Sequence, residues 1–189
     1  MSPKAAPAKK IVATTSLAGC FGCHMSLLDI DERLFDLIEL VEFHKSPIDD
    51  IKTFTKECDI GLVEGGCCND ENVHVLTEFR KHCRVLVAVG ECAIMGGLPA
   101  MRNTIPLKEC LDEAYLGGAT VADCNPQRVI PCDPDIPKIL NRVYPCHEVV
   151  KMDYFLPGCP PSADLIWDAL VALVSGKELA LEYRTFKFD

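Results

Sequence analysis

Twelve cysteines are spread through 189 residues, and two of them, in LAGCFGCHMS, bracket Phe-Gly directly after the apolar run IVATTS. Thiolates are soft ligands for zinc, copper(I) and iron–sulfur clusters, yet Cys20 and Cys23 alone cannot complete a tetrahedral site. Partners must come from elsewhere in the chain. Candidates are the tandem Cys67-Cys68 in VEGGCCND, Cys92 in VGECAIMGG and Cys159 in LPGCPPS. Cys58 and Cys83 stand apart, as do Cys110, Cys124, Cys132 and Cys146, widely spaced between residues 103 and 150.

Which of these can meet depends on the elements that carry them. Residues 11–16 (IVATTS) and 40–45 (LVEFHK) read as short strands. Between them HMSLLDIDERLFDLIE spaces Leu27, Leu28, Leu34, Phe35 and Ile38 as one helical face, with acids on the other. A second helix is expected over PIDDIKTFTKE, with Pro47 in its first turn. The strand DIGLVEG, the helix ENVHVLTEFRKH and the strand RVLVAVG follow, the last with the continuous apolar character of an interior parallel strand. Residues 103–150 break this rhythm with prolines at 106, 126, 131, 134, 137 and 145, and read as an insertion lying over the core. KMDYFLPG then supplies the last strand, and SADLIWDALVALVSG the last helix, with Ser162 as N-cap and Gly176 as its stop. Five strands alternating with helices predict one α/β domain over residues 1–189, with a flexible tail over 1–10. Its core is a flavodoxin-like doubly wound parallel sheet of order 2-1-3-4-5, with the Pro- and Cys-containing insertion before the last strand.

Ligands of such sheets bind outside the carboxyl ends of the strands. Cys20, Cys23, Cys67, Cys68, Cys92 and Cys159 all follow strands and fall on that edge, whereas Cys58 and Cys83 precede strands and fall on the opposite edge as buried thiols. Glycine context separates the six. Gly19 and Gly22 flank the first pair, Gly90, Gly96 and Gly97 surround Cys92, and Gly158 precedes Cys159. Glycines let backbone approach a bulky inorganic group and offer N–H donors to its sulfides. A CxxC pair with two lone cysteines on separate loops suits the corners of one cube. The adjacent Cys67-Cys68 is harder to aim at two irons and reads as loop packing. The insertion cysteines hold no CxxC pair, the usual mark of a zinc or cluster site. Zinc remains the alternative metal, although structural zinc sites usually use two close pairs in domains without a core. The positive N-terminus of the last helix, beside Cys159, would favour a reduced cluster.

Bulk composition narrows the partners. A formal charge of −9, from 19 basic against 28 acidic residues, repels phosphate backbones and argues against nucleic acid. No apolar run reaches the 18 or so residues needed to span a membrane, and MSPKAAPAKK has no apolar core of a secretory signal. A cytoplasmic location is expected, and there twelve cysteines mean metal ligation and buried thiols rather than disulfides.

The segments GCFGC, LVEGG, VAVGECAIMGGLPAMRN and PGCPPSAD, in this order from residue 19 to 164, resemble the small subunit of [NiFe]-hydrogenases, specifically the short cytoplasmic kind of NAD-reducing enzymes. The resemblance implies that Cys20, Cys23, Cys92 and Cys159 ligate a proximal [4Fe–4S] cluster. It also implies that the Ni–Fe centre sits on a large subunit, and that diaphorase subunits carry further Fe–S clusters, FMN and the NAD site. Longer members hold extra clusters in a C-terminal extension, so one cluster is expected with the chain ending at Asp189. Some relatives have an acid before the first ligand; Gly19 stands here, and no proton-relay role carries over to it. Glu64 matches the family's VEG glutamate, as a proton relay or as a carboxylate satisfied by backbone N–H groups. His24 and His74 take solvated or packing roles. The first loop lies where flavodoxins cradle the FMN phosphate, but its cysteines compete for that space and no FMN is expected on this chain. The alternatives are a cluster subunit of a complex I-like enzyme or of a hydrogenase with another acceptor, and, from a different class, a zinc-stabilised binding scaffold. Complex I-like subunits use a tandem Cys-Cys as ligands, whereas here the tandem follows strand three.

Overall fold

The computed structural model describes residues 8–121, 125–177 and 179; residues 1–7 of the expected tail, and Cys124, lie outside them. Along the chain run β1 (Lys10–Ser16), α1 (Gly22–Leu28), α2 (Arg33–Leu40), β2 (Val41–Phe43), β3 (Cys58–Glu64) and β4 (Cys67–Asn69). Then come α3 (Asp70–His82), β5 (Cys83–Val89), α4 (Glu91–Met95), a 3-10 helix (Leu98–Thr104) and α5 (Leu107–Asp112). The chain closes through β6 (Ile139–Tyr144), α6 (Cys146–Val149), β7 (Tyr154–Leu156) and α7 (Ala163–Val174).

The main sheet is parallel, in the order β2-β1-β3-β5-β7. Counting only its own five strands, that is the expected order 2-1-3-4-5. Its central strands are mostly apolar because both faces are covered. Val12, Ile60, Leu62, Val87 and Val89 point to one side, against Leu27, Leu37, Leu165, Ile166 and Leu170 of α1, α2 and α7. Ala13, Val63, Leu86 and Ala88 point to the other, against Leu76, Phe79 and Ala93 of α3 and α4. This alternation sets which face of the sheet each side chain covers, and a one-residue slip would invert it; the parallel strand directions place all the carboxyl ends at one edge.

Three local expectations are corrected. The segment 47–57 is not a helix, because its polar side chains bind nearby backbone instead. Ser46 Oγ accepts the Ile48 N–H (3.3 Å), Asp49 Oδ1 accepts the Ile51 N–H (2.7 Å), and His44 Nε2 accepts the Thr55 N–H (3.0 Å). The helix expected over 24–39 is two helices, broken where Asp31 takes φ +59° and Ile30 turns into the core. Between residues 67 and 144 an additional antiparallel pair, β4 with β6, joins the tandem cysteines to the segment before β7. The last helix starts as expected, with the Ser162 hydroxyl accepting the Leu165 N–H, and stops at Gly176 with φ +69°.

Candidate metal centre

Three loops at the carboxyl ends of β1, β5 and β7 enclose a cavity of about 90 Å³, with the end of β3 as its floor; its lining includes Cys20, Cys23, Cys92, Cys159, Glu64 and Glu91. A single water needs roughly 10–15 Å³ by this measure, so the cavity suits a larger guest. Backbone bonds tie the loops pairwise. Leu17 and Ala18 N–H donate to Glu64 and Gly66 carbonyls (2.9 Å each), and Gly90 and Glu91 N–H donate to Leu156 (2.8 Å) and Gly158 (3.1 Å). The Ser26 hydroxyl adds a bond to the Pro161 carbonyl (2.6 Å), fastening α1 to the Cys159 loop.

Glycine leaves room where these loops meet the thiols. A Cβ on Gly90 would lie 2.4 Å from the Cys23 sulfur, one on Gly97 2.9 Å from the Cys92 sulfur, and one on Gly22 3.1 Å from the Cys20 sulfur. Burial, followed by the Glu64 carboxylate and the Cys92 and Cys20 sulfurs, pushes the Cys23 thiol far above its ordinary value. Burial also raises Cys92, opposed by a hydrogen bond from the Leu98 N–H and aided by Cys159 and Cys20. The four thiols that line this cavity are soft donors of the kind that bind zinc or iron–sulfur clusters.

Glu64 is buried at 3% exposure. It accepts the Ser16 hydroxyl (2.7 Å) and the His24 backbone N–H (3.0 Å), and its Oε1 lies 3.3 Å from His24 Nδ1. Burial pushes its carboxyl up, but the bonds from His24 and Ser16 outweigh this and hold it below the usual range. His24 Nε2 lies 2.9 Å from the Thr14 hydroxyl oxygen, which pairs in turn with Ser46 Oγ (2.7 Å). Of the solvated and packing roles expected for His24, the structure shows the packing one: it is buried, stacked on Phe21, and has polar partners at both ring nitrogens. The sequence carried no signal of this, since residues 24 and 64 meet only because Ser16 and Glu64 are register partners of β1 and β3. Glu91, whose Oε1 accepts the Gly158 N–H (3.1 Å), is a second carboxylate of the cavity that sequence reasoning passed over.

The other cysteines lie elsewhere. Cys67 is fully buried in β4, where burial pushes its thiol up to about 12, and Cys68 bonds to Asn72 Oδ1 through its N–H (3.1 Å) and its thiol (3.3 Å). Cys58 and Cys83 are register partners at the opposite edge of the sheet, both buried. Cys146 is buried and donates to the Gly65 carbonyl, Cys110 is half-buried, Cys132 is exposed, and His74 is exposed on α3. Among the described residues, no three His, Cys, Asp or Glu side chains converge on one ion position.

Residues 20–173 match the family model described as NADH ubiquinone oxidoreductase, 20 Kd subunit. The NAD-reducing hydrogenase HoxS subunit delta of Cupriavidus necator is 50% identical over 178 residues, covering 94% of this chain and 85% of that one. A subunit of the F420-non-reducing hydrogenase of Methanothermobacter thermautotrophicus is 38% identical over 92% of this chain, which spans only 56% of its length. Among solved structures, a chain of an NAD+-reducing [NiFe]-hydrogenase in the H2-reduced state superposes with a TM-score of 0.91 at 49% identity, covering 96% of this chain and all of that one. A [NiFeSe]-hydrogenase chain of Dm. baculatum, at 17% identity and TM-score 0.55, shares the fold. This chain therefore belongs to the NADH ubiquinone oxidoreductase 20 Kd subunit family, within it to the small subunits of NAD-reducing [NiFe]-hydrogenases.

Proposed function

We propose that this chain is the electron-relay subunit of a hydrogen:NAD+ oxidoreductase and that Cys20, Cys23, Cys92 and Cys159 hold one [4Fe–4S] cluster. The observation that carries the reading is the single glycine-cradled cavity into which three strand-end loops bring these four thiols. When bound, the cluster supplies one-electron transfer between the Ni–Fe chemistry of the large subunit and diaphorase subunits that carry Fe–S clusters, FMN and the NAD site. The chain's own residues hold it: Gly90 and Gly97 leave room beside the Cys23 and Cys92 sulfurs, and buried Glu64 anchors the first turn of α1. Structural zinc sites usually draw on two close cysteine pairs, whereas here one CxxC pair meets two lone cysteines from separate loops. The complex I-like alternative is a branch of the same family, but its tandem ligands have no counterpart in this cavity, where Cys67 and Cys68 do not line the wall. No described helix is long and apolar enough to cross a membrane; with the charge of −9 and the free thiols, this supports a place in the cytoplasm.

The test uses the anaerobically purified complex. Cys159→Ala should abolish or convert the [4Fe–4S] EPR signal, and Cys83→Ala should leave it intact. In a Cys92→Ala complex with every subunit still assembled, H2-driven NAD+ reduction should stop, while H2/water isotope exchange and NADH oxidation by an artificial dye continue. A normal cluster in Cys159→Ala, or retained H2-to-NAD+ turnover in Cys92→Ala, refutes the assignment.

A further inference from the structure

At the edge of the sheet opposite the thiol cavity, Cys58 opens β3 and Cys83 opens β5, and the two are register partners. Neighbouring strands lie about 4.8 Å apart, inside the Cα span of roughly 4.4–6.8 Å that a disulfide bridges. Partners in register send their side chains to the same face, and both thiols enter the core on the α3 side with Leu76 and Phe79. Gly61 of β3 leaves the space that the Cys83 side chain occupies, since a Cβ there would lie 2.8 Å from its sulfur. The two thiols are hydrogen-bonded to each other, Cys83 donating to Cys58.

That bond holds the Cys58 thiol below its ordinary value against the opposing effect of burial, and together with burial it raises Cys83. The pair is thus divided into an attacking thiolate and a partner that keeps its proton. Beside them the Lys45 ammonium lies over the Phe54 ring (5.5 Å) and the Phe79 ring (4.9 Å). Burial, and then the Lys52 charge, lower the Lys45 amine, whereas a Cys83 thiolate would raise it, so the two groups are close enough to favour each other's charge. Lys45, Phe54 and His82, the residue before Cys83, form part of the wall of a cavity of about 380 Å³. A water needs roughly 10–15 Å³ by this measure, so a molecule the size of hydrogen peroxide fits. The thiols themselves are only 1% and 3% exposed, which closes them to large reagents and leaves a small oxidant as the one the site admits.

We propose that Cys58 and Cys83 are a peroxide-reactive pair that closes into a disulfide between β3 and β5, with Lys45 as the positioning residue for the closing step. The Cys58 thiolate attacks one oxygen of hydrogen peroxide. The O–O bond breaks, the departing hydroxide leaves as water with the proton of the thiol, and Cys58 carries a sulfenic acid. The Cys83 thiolate, favoured by the Lys45 charge, then attacks that sulfur. The S–S bond forms, the S–O bond breaks, and a second water leaves with the Cys83 proton. Two thiols lose two electrons, and one peroxide becomes two waters.

The experiment exposes the purified complex to dilute hydrogen peroxide, quenches it with an alkylating reagent in denaturant, and follows the peptides holding residues 58 and 83 by mass spectrometry. The two peptides should appear joined by a bond that dithiothreitol cleaves. In Cys83→Ala the joined form should be absent, and Cys58 should take a dimedone adduct, the mark of a sulfenic acid. In Lys45→Gln the dimedone adduct of Cys58 should rise while the joined form appears about tenfold more slowly, the loss of thiolate expected when a neighbouring cation is removed. A merely structural Lys45 would change both steps together or neither, and that result overturns its role. Residues 58 and 83 recovered as separate alkylated thiols from the unmodified complex, or joined to other cysteines, overturn the pair, and this measurement decides the matter even where a variant fails to fold.

Discussion

Gly90 allows the cradle to be tested by a single methyl group. It sits at φ +81° and ψ 164°, between β5 and the Cys92 helix, a backbone region essentially reserved for glycine. Alanine there carries about 1–3 kcal/mol of backbone strain. Its Cβ would also lie 2.4 Å from the Cys23 sulfur, with the Gly158 carbonyl at 3.4 Å and Pro161 at 3.7 Å closing the escape routes. The strain weakens the fold with or without a guest, but the clash acts on the position of one proposed ligand. Overpacking of this kind costs about 1–3 kcal/mol, which corresponds to an occupancy loss of about 5- to 150-fold. Gly176→Ala is the control. It has φ +69° and nothing within 4 Å of the added Cβ, so it suffers backbone strain alone. Iron and acid-labile sulfide per chain, measured beside thermal melting on the purified complex, should fall sharply for Gly90→Ala and hold for Gly176→Ala, while both melt earlier. Full iron and sulfide in Gly90→Ala, or equal losses in the two variants, would refute the cradle.

Two further outcomes concern how the cavity's supports are held. Asp153 Oδ2 accepts Arg80 Nη1 (2.7 Å) and the Leu86 N–H (2.8 Å); burial alone would raise its carboxyl, but these bonds and the Arg80 charge hold it below the usual value. Its stabilisation is present in full above the unfolded value of about 3.9 and is lost as pH falls through the lower folded value. Asp153→Asn should therefore cost about 1.5–3 kcal/mol near neutrality, with the gap from the unmodified protein closing in acid, as followed by denaturant melts across pH. Ser162→Ala removes the acceptor for the Leu165 N–H at the start of α7 and should cost about 1 kcal/mol, read by the same melts.

Much of the fold was legible because each signal is local. Continuous apolar runs marked β3 and β5, and Ser162 and Gly176 bracketed α7 as their capping chemistry requires. The readings that failed did so where local pattern had to compete with something nearby or distant. Over 47–57 the side chains of Ser46 and Asp49 take backbone donors that a helix would use. At residues 28–33 the apolar spacing continues, but Ile30 is drawn inward and Asp31 adopts a left-handed turn. The β4–β6 pair joins residues far apart in the chain, and a three-residue strand spelled Cys-Cys-Asn shows no alternation to announce it.

For the site, the sequence by itself determined which thiols could share an edge, because strand direction alone assigns Cys20, Cys23, Cys92 and Cys159 to carboxyl ends and Cys58 and Cys83 to the other end. It also marked the glycines beside them. Only the tertiary structure decided that these four line one cavity while Cys67 and Cys68 do not, since that depends on where β4 peels away to pair with β6. The same holds for the buried Ser46–Thr14–His24–Glu64 chain and for the bonds between the Asn103 side-chain amide and the Val143 backbone. Each joins groups at least ten residues apart through bonds of about 3 Å, and distances of that order are set by sheet register and loop closure, which no local pattern of residues encodes.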